Sequence, residues 1–125
     1  MRLFTFGIRP VRQFAVPVRA IPLVEATATR EEILERAERS NSMIVGILKQ
    51  GKLAGCYQVA DALFSTTSRP AVLPTCEVLA TDSNIHVLTK MQSQQCPLAT
   101  VVDNTGRLIG VVQRERLSGL LVGKL

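Results

Sequence analysis

The chain repeats itself, and that limits its folds more than any other feature. Residues 97–117 read PLATVVDNTGRLIGVVQRERL: an apolar run, a turn, a second apolar run and the start of a helix. The run 98–102 is short and rich in β-branched residues. Asp103-Asn104-Thr105-Gly106 is a turn, because Asx side chains bond their own backbone and the glycine takes the left-handed conformation that closes a bulged hairpin. Residues 108–112 form the second strand. Arg114, Glu115 and Arg116 then lead into leucines at helical spacing. Strands with so few polar positions are expected to be buried on both faces. The same unit occurs earlier, as strand 44–48, turn 49–51, strand 52–57 and helix start 58–63. Gly51, Leu53, Gly55 and Gln58 match Gly106, Leu108, Gly110 and Gln113 at an offset of 55. Ala26, Thr27 and Leu34 match Ala80, Thr81 and Leu88 at an offset of 54, so one residue is expected to be added in the second copy's approach to its strands. Such repetition makes each copy one structural unit.

A chain of 125 residues suits one compact domain, or two small halves sharing a core. Hydrophobic residues make up 46% and aromatics only 4%, so the core is aliphatic. No apolar run reaches the roughly 18 residues of a membrane span, and the chain as given is expected to be soluble. The net charge of +5 is uneven. Arg2, Arg9, Arg12 and Arg19 stand in residues 1–19 without an acid, and the rest holds 11 basic and 10 acidic side chains. This basic arm has several readings: a solvated lead-in, a segment near an anionic membrane surface, or a transit peptide. Pro10 and Pro17 limit any amphipathic helix there. A nucleic-acid-binding arm is a further, less favoured reading, because no strand interleaves aromatic and basic residues as a base-stacking sheet requires.

The pattern excludes the usual enzyme constellations. His86 is the single histidine and reads as an ordinary helix residue. No phosphate-binding glycine motif, nucleophile elbow or paired carboxylate occurs. Cys56, Cys76 and Cys96 are odd in number and lack a Cys-x-x-Cys, which argues against a disulfide framework or zinc site. They read as small buried hydrophobes in a reducing cytoplasm.

In chain order, the proline-punctuated stretch 15–24 holds a short edge strand at 21–24. Thr29 and Glu32 form a capping box for a helix whose buried stripe is Ile33, Leu34 and Ala37. Glu32–Arg36 and Glu35–Arg39 are i,i+4 pairs on a solvated face. Residues 40–42 stop that helix. A helix at 59–64, a polar linker at 65–70 and a second strand approach at 71–79 follow. Asp82 is expected to cap a helix with Ile85, Leu88 and Met91 on one face. A last helix spans about 114–121. The chain is therefore α+β, with the pattern β-α-β-β-α twice. Its parts are a basic arm (1–14), a first repeat (15–68) and a second repeat (69–125).

One position stands out as a candidate site. Asp61 lies at the strand-to-helix junction, where a carboxylate is stable at a helix start and can accept two hydrogen bonds from a vicinal diol. It also reads as a plain helix-start acid. Counted from Gly110, its counterpart is Arg116, which has no acceptor but can pair with a phosphate.

At these residues the chain resembles a tandem CBS-domain pair, the Bateman module, over residues 21–121. The segments 16–22, 31–34 and 97–103, with Gly106 and residues 108–112, are most similar to the CBS pair of the haemolysin-like magnesium and cobalt efflux family. The resemblance implies two pseudo-twofold-related repeats whose small sheets pack together with helices outside, leaving two clefts, and a homodimer. It implies a regulatory adenine nucleotide (ATP or AMP, with or without magnesium) whose ribose is held by Asp61. Gln58, flanked by Tyr57, occupies the family's Thr/Ser position. Pro22, Ser42 and Ile44 lie on the backbone stretches that face the base. In the second copy Pro97, Gln113 and Arg116 take the corresponding places. Neither copy has the Thr/Ser and only the first has the aspartate, so at most one ribose cleft of the usual kind is expected. Two functions follow. One is a nucleotide-sensing module on the cytoplasmic face of an attached or associated transmembrane transport domain. The other is a ligand-free structural dimerisation module of a larger protein.

Overall fold

The computed structural model describes residues 8–64 and 70–122, with side chains assigned to 118. Residues 65–69 of the linker expected at 65–70, and the arm's first seven residues, lie outside the described residues. The chain forms two compact units. One is Arg19–Thr75. The other joins the lead-in up to Val18 to the chain from Cys76 onward.

In the first unit β1 (Leu23–Glu25) runs parallel to β2 (Ile44–Lys49), which pairs antiparallel with β3 (Lys52–Gln58). The proline-rich approach confines β1 to three residues at 23–25, slightly later than expected, because Pro22 uses its carbonyl instead, accepting from the Gly46 N–H at 2.9 Å. Helix α1 (Arg30–Ser40) starts at the expected capping box. The Glu32 N–H donates to Thr29 Oγ1 at 3.2 Å, and the Thr29 N–H donates back to the glutamate. It ends at Asn41, in the left-handed conformation. Ile33 and Ala37 face the core with Val24, Val45, Ile47 and Tyr57, and Leu34 packs at its margin. Arg36 does not pair with Glu32, whose carboxylate serves the cap; its guanidinium donates to the Leu23 carbonyl at 3.1 Å. Arg39 does pair with Glu35. The short helix α2 (Val59–Phe64) follows directly from β3.

The second unit repeats this with β4 (Thr75–Leu79), α3 (Asn84–Ser93), β5 (Leu98–Val102), β6 (Leu108–Gln113) and α4 (Arg114–Val122), its sheet ordered β4-β5-β6. β5 is buried almost throughout, whereas Leu108 and Ile109 at the start of β6 are exposed. Ser83 caps α3, not Asp82: Ser83 Oγ accepts the His86 N–H at 3.1 Å. Asp82 instead turns back to accept the Leu79 N–H at 3.0 Å. Asn84, Val87 and Met91 form the buried face, Leu88 packs at its margin as expected, and Ile85 is 40% exposed because the core lies on the side of Val87.

The residue added to the second copy sits in the hairpin, not in the approach to the strands. Ile44 faces Gln58 in the first ladder and Leu98 faces Gln113 in the second, so the offset changes from 54 to 55 between the paired strands. The first turn is Gln50-Gly51, both at positive φ (54° and 77°), the signature of a two-residue type I′ hairpin. The second turn has three residues ending at Gly106, φ 85°. There Asp103 accepts from the Thr105 and Arg107 N–H groups at 2.9 Å each. Each ladder also shifts register at the matching place, leaving Ala54 and Ile109 as bulges.

The lead-in is not a free arm where it is described. Val11 is fully buried in the second unit's core with Cys76, Val87 and Leu117. Its N–H donates to the Asp82 carbonyl at 2.8 Å, and Val16 exchanges two backbone bonds with Val111. Asn84, a buried polar residue of that unit, grips Arg9 twice. Its Oδ1 accepts the Arg9 N–H at 3.1 Å, and its own N–H donates to the Arg9 carbonyl at 2.8 Å. The sequence divisions follow the repeat. The compact units do not, because this lead-in packs with the second copy.

Candidate functional site

In each unit the start of the central strand, the end of the last strand and the start of the following helix meet at one end of the sheet. One backbone bond fixes that corner in both copies. The Val59 N–H donates to the Met43 carbonyl, and the Arg114 N–H to the Pro97 carbonyl, each at 2.9 Å. Both helices therefore leave their last strand with their first N–H already satisfied by backbone.

In the first unit this corner gathers Ser42, Ile44, Gln58 and Asp61, with Pro22 alongside at the head of β1. Ser42 is half-buried. Its Oγ accepts the Ile44 N–H at 3.2 Å and donates to the Ile44 carbonyl at 2.7 Å, which leaves one lone pair for a further donor. Ile44 and Pro22 are buried, so they offer shape and not polar contact. Gln58 is half-buried at the last rung of the ladder. Asp61 is exposed in the first turn of α2, and among the described residues its carboxylate has no hydrogen-bond or ion-pair partner. Tyr57 stands apart. It is 2% exposed and packs in the core opposite Val45, because alternation along β3 sends it to the helix-covered face while Gln58 turns the other way.

The second unit holds Pro97, Gln113 and Arg116 at its corresponding corner. Pro97 is buried, Gln113 is half-buried opposite Leu98, and Arg116 is exposed in the first turn of α4. The corner is built alike but charged oppositely.

Sequence reasoning missed a cleft of about 280 Å³ between α1 and α2, lined by Leu34, Ala37, Met43, Val59 and Leu63 and by the polar Glu38, Asn41 and Ser42, the last of which it shares with the corner. Asp61 is two residues from both Val59 and Leu63, so helical geometry turns it away from this apolar cleft. Met43, Leu63 and Phe64 are exposed beside it. The signal was present as apolar residues on a short helix with no polar alternation. No group of three or more His, Cys, Asp or Glu side chains that could hold a metal occurs among the described residues. No described helix is long and apolar enough to cross a membrane.

No family model matches the sequence, and no curated protein matches it. Solved structures do match. A haemolysin-like protein containing a CBS domain from Oenococcus oeni aligns with a TM-score of 0.81 at 15% identity, over 98% of this chain and 96% of that one. The CBS domain of a bacterial CNNM/CorC family Mg2+ transporter, solved in complex with ATP, gives 0.77 at 20% identity, over 98% and 94%. A CBS domain pair solved with 5′-methylthioadenosine and S-adenosyl-L-methionine gives 0.73 at 20%, over 94% and 99%. The chain has the fold of a CBS-domain pair, an α+β arrangement of two three-stranded sheets and four helices.

Proposed function

From that fold, we propose that the chain is a regulatory CBS-pair module that binds an adenine nucleotide at its first repeat. The observation that carries this reading is Asp61: an exposed carboxylate without a partner among the described residues, at the same corner as Ser42, Gln58 and Pro22. A carboxylate accepts both hydroxyls of a vicinal diol, and the backbone at 42–44 is tied by the Met43 carbonyl to the start of the helix that carries Asp61. The ATP and adenosine-type ligands in structures of like fold support the ligand class. The module acts on an attached or associated membrane ion transporter, on the cytoplasmic side. It does so only as far as the ligand prefers one arrangement of the protein over another. The second copy is not a matching site, because Arg116 replaces the acceptor. In this reading the chain is a binding module and not a catalyst.

The test is a calorimetric titration of the whole chain with ATP and with AMP, each with and without magnesium. Saturable binding near one site per chain, lost in Asp61→Ala, is the expected result. Binding unchanged in that variant would reject the site. A second reading, a ligand-free dimerisation module, is favoured by the apolar cleft and by Met43, Leu63 and Phe64 exposed at its side. It predicts no heat of binding up to millimolar nucleotide, together with a concentration-dependent dimer in sedimentation.

A further inference from the structure

We propose that Ser42 and the backbone N–H of Met43 read the base at the first repeat's corner and select a 6-aminopurine over a 6-oxopurine. This rests on the nucleotide reading above and adds which base the corner accepts. Ser42 Oγ lies 2.7 Å from the Ile44 carbonyl oxygen. A carbonyl cannot donate, so the proton between the two oxygens is the serine's. The same Oγ accepts the Ile44 N–H at 3.2 Å. Its donor is spent within the turn, and what it has left is one lone pair, an acceptor. Met43 is the reverse. Its carbonyl accepts the Val59 N–H at 2.9 Å, while its own N–H has no hydrogen-bond partner among the described residues. Two consecutive residues ahead of β2 thus offer one acceptor and one donor.

The pairing edge of a 6-aminopurine is the complement: its amino group donates and its N1 accepts. In a 6-oxopurine both are inverted, because the oxygen accepts and the N1–H donates. Such a base sets acceptor against acceptor and donor against donor, and each mismatched group loses its hydrogen bond. The bond from Val59 to Met43 holds this edge to the helix that carries Asp61, so one backbone link sets the base and ribose contacts together. The second repeat lacks both groups. The Ser42 N–H donates to the Ala37 carbonyl at 3.0 Å and the Cys96 N–H to the Met91 carbonyl at 2.8 Å, so Cys96 stands where the first copy has Ser42. Its thiol donates to the Gln94 carbonyl at 3.7 Å and is a weak acceptor. Pro97 stands where the first copy has Met43, its carbonyl taking the Arg114 N–H, and proline has no N–H to offer. Separate substitutions thus confine the base edge and the ribose acceptor to the same copy.

The test titrates the whole chain with AMP and with inosine monophosphate, which share ribose and phosphate and differ only at position 6 and N1 of the base. AMP is expected to bind tighter by about 100-fold, about tenfold for each contact. Ser42→Ala is expected to weaken AMP and to cut that ratio by about tenfold, with a native circular dichroism spectrum. Ser42→Thr keeps the hydroxyl and is expected to keep the ratio. In the native chain, affinities for the two nucleotides within about threefold of each other would overturn the base reading and leave the nucleotide site standing. A ratio unchanged in Ser42→Ala would overturn the role given to Ser42. No heat with either nucleotide would overturn this inference together with the nucleotide reading.

Discussion

The two repeats share a backbone and differ in what they place at the same corner. Both tie the first helical N–H to the carbonyl ahead of the central strand, and both bulge at the same rung. Yet the first offers Pro22, Ser42 and Asp61 where the second offers Cys76, Cys96 and Arg116. Backbone hydrogen bonding preserves a fold through duplication, while the side chains at this corner, buried and exposed alike, have diverged. The two copies therefore carry different chemistry on one scaffold.

The largest expected difference concerns what covers each sheet. Val16 adds a bridge to β6 and Leu73 adds one to β3; the first segment brings a buried aliphatic anchor, Val11, where the second brings the buried ring of Pro70. Val11→Asp buries an unpaired charge and is expected to cost about 3 kcal/mol or more in urea unfolding. Val72→Asp, at a position 59% exposed, is expected to stay within about 0.5 kcal/mol. Equal losses would remove the asymmetry.

The strand glycines sharpen the same contrast. A methyl at Gly110 would collide with the backbone carbonyl of Val16. At Gly55 its tightest neighbour is a side-chain methyl of Val72 at 2.9 Å, which can rotate away, with the Leu73 carbonyl at 3.1 Å. Gly110→Ala is expected to destabilise by about 2 kcal/mol and to speed amide exchange at Val111, and Gly55→Ala by about half as much.

The hairpins differ by less. Gly51 and Gly106 both need positive φ, so valine at either is expected to cost about 1–2 kcal/mol in thermal unfolding. Gln50→Asn is expected to stabilise by about 0.5 kcal/mol, since asparagine suits the first position of a type I′ turn.

The smallest difference depends on pH. Hydrogen bonds from the Thr105 side chain and the Arg107 backbone hold Asp103 below its ordinary value of 3.8. Its folded pKa is depressed, so its contribution is present above the unfolded value and is lost as pH falls through the folded one. The Thr105 and Arg107 amides are expected to exchange faster in that acid range. The first hairpin, with Lys49 at the matching position, is expected to show no such change.

Much of this was legible in the residues. The repeat, the capping box at Thr29, the Asx turn at Asp103 and helix 59–64 follow from local chemistry that tertiary contacts do not override. What failed had both local and distant causes. Asp82 looked like a cap until the Leu79 N–H claimed its carboxylate. Arg12 and its neighbours looked like an arm because nothing local reveals that Val11 fills a core assembled about seventy residues later. Tyr57 was placed at the site by adjacency to Gln58, although strand alternation sends neighbours to opposite faces.

The central claim, that the nucleotide corner belongs to the first repeat alone, is tested most directly by amide chemical shifts of the labelled chain during titration with AMP. The account predicts saturable shifts at residues 42–44 and 58–62, absent in Asp61→Ala, with residues 98 and 113–116 unmoved. Shifts centred on 113–116 that survive Asp61→Ala would contradict it.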